Sequence, residues 1–375
     1  MDWDKIRNNF PALREVTYLN TASTGLLCTK AIDAAKKFLN ERKYGGAKWL
    51  EWYNTIDKEL RNKVARLLNC SITEIGFVPN TSMGINMIAH SIKWRKNGNI
   101  VTTDLEFPTN LFPWQVVARI NSLEIRYARN RNGYIPMEEF EAKVDEDTRA
   151  IVVSWVEFAN GFVNNLEALS KIARKYGAYL IVDGIQGVGA IPLDLSKVEI
   201  NVLICGFQKW LLGTGGGFIY INRKILDELE VCYAGWLADE RPFDYSFREF
   251  RPVGSAKRYE LGTPSFIDFQ IASVSIGMIL RLGIERIYER NRRLINYLRE
   301  RLSQLGDIEI STPEESISSI LMIKHKGHKD IIRELLERKV VVSCREGGIR
   351  ISPHFYNNEE DIDILIENLK KILVE

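Results

Sequence analysis

Lys209, which leads Trp210-Leu211-Leu212-Gly213, and Asp183, which leads Gly184-Ile185-Gln186, each follow closely on a short apolar run. An amine held between apolar runs suits Schiff-base formation with an aldehyde. A carboxylate at a neighbouring strand end suits holding a proton on a pyridine nitrogen, so that the ring accepts electrons. Those are the two groups that pyridoxal 5'-phosphate (PLP) needs most, and together they read as a PLP site. Burial beside such a cofactor would lower the Lys209 pKa by desolvation, as a catalytic amine requires. Gln186, three residues beyond Asp183, is placed to hydrogen-bond the cofactor's 3-oxygen.

Each residue also has an ordinary reading: a strand-end turn for Asp183, a solvated loop amide for Gln186, a surface charge for Lys209. The combination decides between them, because surface lysines seldom sit between two apolar runs. Other chemistries find less support. Gly213-Thr214-Gly215 has Phe218 where a dinucleotide fingerprint needs its third glycine, and it leads into a strand. No GxxxxGK[ST] motif occurs, and His325-Lys326-Gly327-His328 reads as a solvated turn, so no metal site is expected. Cys28, Cys70, Cys205, Cys232 and Cys344 form no CxxC pair, which points to reduced thiols.

The elements that must position Asp183 and Lys209 come from hydrophobic spacing. Apolar runs at 75–79, 99–103, 123–127, 149–154, 178–182, 201–205 and 217–221 predict strands, several separated by helices. Ala150-Ile151-Val152-Val153 and Tyr179-Leu180-Ile181-Val182 read as strands buried on both faces, as in a mainly parallel sheet. The class is therefore α/β, with Asp183 at the carboxyl end of a central strand, where such sheets bind ligands. Ile56, Leu60, Val64 and Leu67 recur at helical spacing, and Gly177 stops a helix that carries Leu166, Leu169 and Ile172. We expect a large PLP-binding domain over 15–264. From about 265 to 305 the pattern is helical without strong breakers; a linking helix includes 265–282, and a small α+β C-terminal domain spans 283–375, with residues 1–14 packing against it. Lys plus Arg total 51 against 49 Asp plus Glu, so no field recruits nucleic acid or an anionic membrane. With no apolar run of about 18 residues, the expectation is a cytoplasmic protein.

Along nearly its whole length the chain resembles the class V aminotransferase family of fold-type I PLP enzymes, in the branch containing cysteine desulfurases and isopenicillin N epimerase-like proteins. The matching segments, in order, are Tyr18-Leu19-Asn20-Thr21-Ala22, Asn80-Thr81-Ser82-Met83-Gly84-Ile85-Asn86, Glu106-Phe107-Pro108-Thr109-Asn110, Asp183 to Gln186, Lys209-Trp210, Glu260-Leu261-Gly262-Thr263-Pro264 and Ile349-Arg350-Ile351-Ser352. The resemblance implies a seven-stranded, mainly parallel sheet flanked by helices. It implies a phosphate site at Thr81 and Ser82, where helix N-terminal N–H groups and a hydroxyl hold the dianion. Phe107 falls where an aromatic ring stacks on the pyridine, and Gln208 where a His commonly contacts the cofactor. Asn20 belongs to the substrate side, and Arg350 is the arginine that grips the substrate α-carboxylate. Flanked by Ile349 and Ile351, Arg350 should point opposite to two apolar neighbours. Gly262 and Thr263 match a segment that reaches the phosphate of a neighbouring subunit, which implies a homodimer with shared sites.

Three departures bear on activity. Gly206 stands where many relatives carry a phosphate-binding Ser or Thr. Phe158 falls near a cofactor-contacting Asn. Val342-Ser343-Cys344-Arg345-Glu346-Gly347-Gly348 leaves almost no room for the mobile cysteine loop of desulfurases. The expectation is a class V aminotransferase acting on a small amino acid, with a keto acid as its other partner. The alternatives are a desulfurase-like carbon-sulfur lyase and an amino-acid epimerase.

Overall fold

The computed structural model describes residues 1–246 and 248–374. The seven expected strands form within a residue of their apolar runs: β1 (Ile75–Val78), β2 (Asn99–Thr103), β3 (Glu124–Ala128), β4 (Thr148–Ser154), β5 (Tyr179–Asp183), β6 (Val202–Gly206) and β7 (Gly217–Ile221). They make one sheet in the order β1-β7-β6-β5-β4-β2-β3, in which only β7 runs against its neighbours. Alternation explains why the central strands read as unbroken apolar runs. Ile151, Val153, Leu180, Val182 and Leu203 pack into the core on one face. Ala150, Val152, Ile181, Val202 and Ile204 pack into the core on the other. Each such side chain contributes roughly 1.5–3 kcal/mol by leaving water.

Helices cover both faces. One spans Leu166–Tyr176, with the Asn165 side chain accepting from the Ala168 N–H at its start and Gly177 in the left-handed conformation at its end. Ile56, Leu60 and Val64 are buried as their spacing foretold, although the chain takes a π-type turn over Thr55–Leu60. The stretch after Ser265 departs from expectation. It is not one long helix but two, Phe266–Leu282 and Ile284–Leu302, bent by 83° at Gly283. Gly283 has φ +85°, which a helix does not accommodate and which glycine adopts without penalty.

Beyond the bend, four antiparallel strands in the order Ser343–Arg345, Gly348–Ile351, Leu321–Lys324 and Glu309–Ile310 form a second sheet. Their core side chains pack with those of the helices Ile284–Leu302, His328–Glu337 and Glu359–Val374. The N-terminal segment is tied to this part of the molecule. Thr17–Tyr18 pairs in parallel with Val340–Val341, Leu19 lies in the small sheet's core, and Phe10 packs on Phe355 and Tyr356. Chain from 17 to 20 thus joins the C-terminal elements before it reaches the site. Among the described residues, no single helix is long and apolar enough to cross a membrane.

Candidate active site

The carboxyl ends of β1, β2, β4, β5 and β6 lie along one edge of the large sheet, and most of the residues singled out in the sequence gather there. Asp183 ends β5 and is 3% exposed, with Oδ1 accepting from the Ile185 N–H at 2.9 Å. Burial raises its pKa to about 6, against the pull of that hydrogen bond and of Lys209. Lys209 follows the end of β6 by three residues. Burial brings its amine down to about 8. Asp183 opposes that shift, and the cationic Arg350 and Arg345 add to it. A carboxylate and a poised amine therefore share one pocket, as the chemistry requires.

Backbone contacts fix that amine. Gly25 donates its N–H to the Gln208 carbonyl at 2.9 Å, and a side chain at Gly25 would collide with the Lys209 carbonyl. The segment after Asn20 can therefore lie directly across the lysine only because residue 25 is glycine. Gln186 is engaged at both ends of its amide: Nε2 donates to the Ala22 carbonyl at 3.0 Å, and Oε1 accepts from the Trp210 indole at 2.8 Å. It clamps three site segments together, and one amide hydrogen remains for a ligand.

Thr81 and Ser82 open the helix Thr81–Ser91, capped by the Asn80 side chain, which accepts from the Met83 N–H. The first backbone bond of that helix comes from the Gly84 N–H to the Asn80 carbonyl, so the N–H groups of Thr81 and Ser82 lie ahead of the ladder. The Thr81 hydroxyl is buried without a hydrogen-bond partner. A buried hydroxyl and two leading N–H groups at a helix start fit a phosphate. The Ser82 hydroxyl bonds that of Thr109 at 3.0 Å. A side chain at Gly206 would meet Gln208 Oε1 and the Thr81 hydroxyl, so the Gln208 amide fills the place left by the absent Ser or Thr. The Asn20 Oδ1 is likewise buried without a partner. The donor set therefore fits PLP at the phosphate, pyridine and aldehyde positions.

Phe107 is 41% exposed, with its ring 5.9 Å from Lys209 Nζ and edge-on to Phe158 at 5.0 Å. Phe158 thus lies beside Phe107 and near Lys209. Its carbonyl accepts from Arg350 Nη1 at 2.7 Å. Arg350 is 1% exposed and points away from Ile349 and Ile351, which enter the small-domain core. Burial first, then Arg345, pull its pKa down to about 9. Gly262 and Thr263 are not brought to this cluster within the chain. Thr263 is exposed, and Gly262 lies beside Trp236 on an aromatic patch with Trp49 and Phe243.

Residues that the sequence did not single out complete the picture. Ser23 accepts from Arg350 Nη2 at 2.7 Å and from Arg345 Nη2 at 3.2 Å. Glu106 accepts from the Ser154 N–H, the Ser154 hydroxyl and the Asn110 amide, and burial raises its pKa to about 8. Glu157, fully buried, takes bonds from Thr103 and Asn164, and its pKa also rises through burial. These carboxyls lie close enough to Asp183 to feel its charge. Burial pushes both toward the neutral form, which weakens their competition with Asp183 as the anion beneath the site. Only the motif around Glu106 hinted at this layer.

Cys344 lies inside a two-residue hairpin, with Glu346 and Gly347 at φ 43° and 78°. It pairs with Ile349, whereas Ser343 pairs with Arg350. Side chains alternate along a strand, so Cys344 faces away from the surface that carries Arg345 and Arg350.

Comparison with known proteins gives the same direction. Residues 17–365 match the family model described as aminotransferase class-V. An uncharacterised aminotransferase, YcbU, of Bacillus subtilis is 25% identical over 98% of this chain and 97% of its own. A probable cysteine desulfurase of Methanothermobacter thermautotrophicus is 28% identical over 99% of this chain and 98% of its own. A solved structure of a C-DES mutant with glycine covalently linked to its PLP cofactor superposes with a TM-score of 0.91 at 22% identity, covering 97% of this chain and 98% of the other.

Proposed function

We propose that this chain, which belongs to the class-V aminotransferase family of PLP enzymes, transfers the amino group of a small amino acid and releases the corresponding keto acid. When bound, PLP supplies the electron sink for negative charge at the substrate Cα. Lys209 Nζ would hold the cofactor and move the proton. With a pKa near 8 it is neutral in a useful fraction at physiological pH, so it would take the substrate Cα proton and give it back later in the transfer. Asp183 would hold a proton at the pyridine nitrogen, and burial, which pushes Glu106 and Glu157 toward the neutral form, weakens their competition with it. Arg350 orients the α-carboxylate, which sets the Cα–H bond toward Nζ. Phe107 and Phe158 exclude water from that face and contribute no second base, which counts against epimerisation. We further propose a cytoplasmic homodimer in which Gly262 and Thr263 reach the partner's phosphate site.

The observation that carries transfer over desulfuration is the hairpin that turns Cys344 away from Arg350. Persulfide formation needs a thiolate above the bound substrate. Relatives named as probable desulfurases keep a carbon-sulfur lyase reading in view, because elimination needs no such thiolate. The test incubates PLP-loaded protein with small amino acids and a keto-acid acceptor, measuring keto acid and sulfide. Borohydride trapping with peptide mapping should find the cofactor on Lys209, keto acid should accumulate, and Cys344→Ala should leave the rate essentially unchanged. Sulfide from cysteine, a persulfide on Cys344 and loss of activity in Cys344→Ala would replace this reading with desulfuration.

A further inference from the structure

Arg345 and Arg350 stand on the same face of one hairpin, on adjacent strands, and both point at the Ser23 hydroxyl. Among the described residues no carboxylate forms an ion pair with either. Ser23 is a weak counterpart: its oxygen has two lone pairs, each occupied by a cation, and it carries no charge. Arg350 is almost fully buried, and its Nε has no hydrogen-bond partner. Two neighbouring cations in a partly desolvated pocket repel one another; the Phe158 carbonyl takes one bond from Arg350 and the Cys344 carbonyl one from Arg345, but among the described residues no anion neutralises either. One arginine suffices to hold one α-carboxylate. The second is unused by the reaction as described above.

We propose that Arg345 and Arg350 together form a dianion site, and that the substrate is an amino acid with a second carboxylate on a short side chain. This rests on the amino-transfer reading and names its substrate class. Arg350, the deeper of the two, takes the α-carboxylate, and Arg345 takes the side-chain carboxylate. The shared contact to Ser23 keeps the two guanidiniums within a few ångströms of each other. That spacing suits a side chain of aspartate or glutamate length. Ser23 bridges the pair in the free protein and gives up its bonds when the ligand enters.

The experiment measures calorimetric binding of two unreactive acids, succinate and propionate, to the PLP-loaded protein, alongside keto-acid release from aspartate, glutamate and alanine. Succinate should bind about tenfold or more tightly than propionate, as one added charge-assisted contact allows, and Arg345→Met should erase that difference. Aspartate or glutamate should exceed alanine in kcat/KM by a ratio that falls in the variant. Equal binding of the two acids by the wild type overturns the dianion site without recourse to any variant. So does a preference for succinate that survives in Arg345→Met, or an equal loss for both acids, which would assign Arg345 to the α-carboxylate. Succinate preference without keto-acid release from any amino acid would sink the amino-transfer reading and leave the dianion site standing.

Discussion

Gln208 and Gly206 exchange roles across a single turn of chain. The family commonly has a hydroxyl at the position of Gly206 and a His at that of Gln208. Here the Gln208 amide occupies the space over Gly206, next to the buried Thr81 hydroxyl. The substitution Gly206→Ser should therefore push the amide away rather than add a ligand, weakening PLP binding about tenfold by equilibrium dialysis. The double variant Gly206→Ser with Gln208→His should recover most of that affinity, because neighbours that share a space couple non-additively. Additive losses would show that the two residues act separately. Lys209 gives a second expectation at this scale. Only the neutral amine attacks an aldehyde, and burial lowers its pKa from 10.5 to about 8. Covalent loading of PLP on the apoprotein, followed by absorbance, should accelerate as pH rises through about 8 and level off above it. A midpoint at the ordinary lysine value would contradict the desolvated pocket.

At the scale of elements, the hairpin that carries both arginines is held by its turn. Gly347 has φ 78° and nothing near its missing Cβ, so Gly347→Ala meets no clash and only a backbone penalty. That penalty should be about 1 kcal/mol in urea unfolding, with a larger KM for the carboxylate-bearing substrate as Arg345 and Arg350 lose register. An unchanged midpoint would mean that the turn relaxes freely. This hairpin also shows what the sequence could and could not convey. The large-sheet strands emerged from their apolar runs because buried strands leave a local signature. The direction of Arg350 followed from its two isoleucine neighbours for the same reason. Ser23, by contrast, meets Arg345 and Arg350 across more than three hundred residues, and no local pattern encodes that meeting. Gln186 was legible as a site residue, but its clamp between Ala22 and Trp210 was not. The break at Gly283 was missed because its flanks are strongly helical and a lone glycine is often tolerated in a helix.

For the whole molecule, the opening and closing segments of the chain must hold together for the site to exist, because Asn20 and Ser23 arrive from one and Arg350 from the other. Arg7 is the fastener. Its guanidinium makes two bonds to Asp361, at 2.6 and 2.8 Å, and one to the Tyr356 carbonyl at 3.0 Å. The Asp361 side chain is 2% exposed, while that of Arg7 retains 20%. Removing the arginine leaves a buried carboxylate with only the Asn357 amide and the Asn358 N–H as donors. Arg7→Ala should therefore destabilise the protein by about 2 kcal/mol, less than the full cost of breaking a buried pair because water reaches the vacated side. Loosening should spread from Phe10, whose ring packs on Phe355 and Tyr356, toward the Thr17–Tyr18 pairing with Val340–Val341. Hydrogen exchange should rise in residues 5–20 and 340–360 and leave the β4 and β5 amides protected, since those strands are central in the large sheet and hydrogen-bonded to a neighbour on each side. If exchange instead rose uniformly, the two ends would be folding as one unit with the large sheet, and the ion pair would be supporting the whole fold rather than the half of the site that carries the arginines.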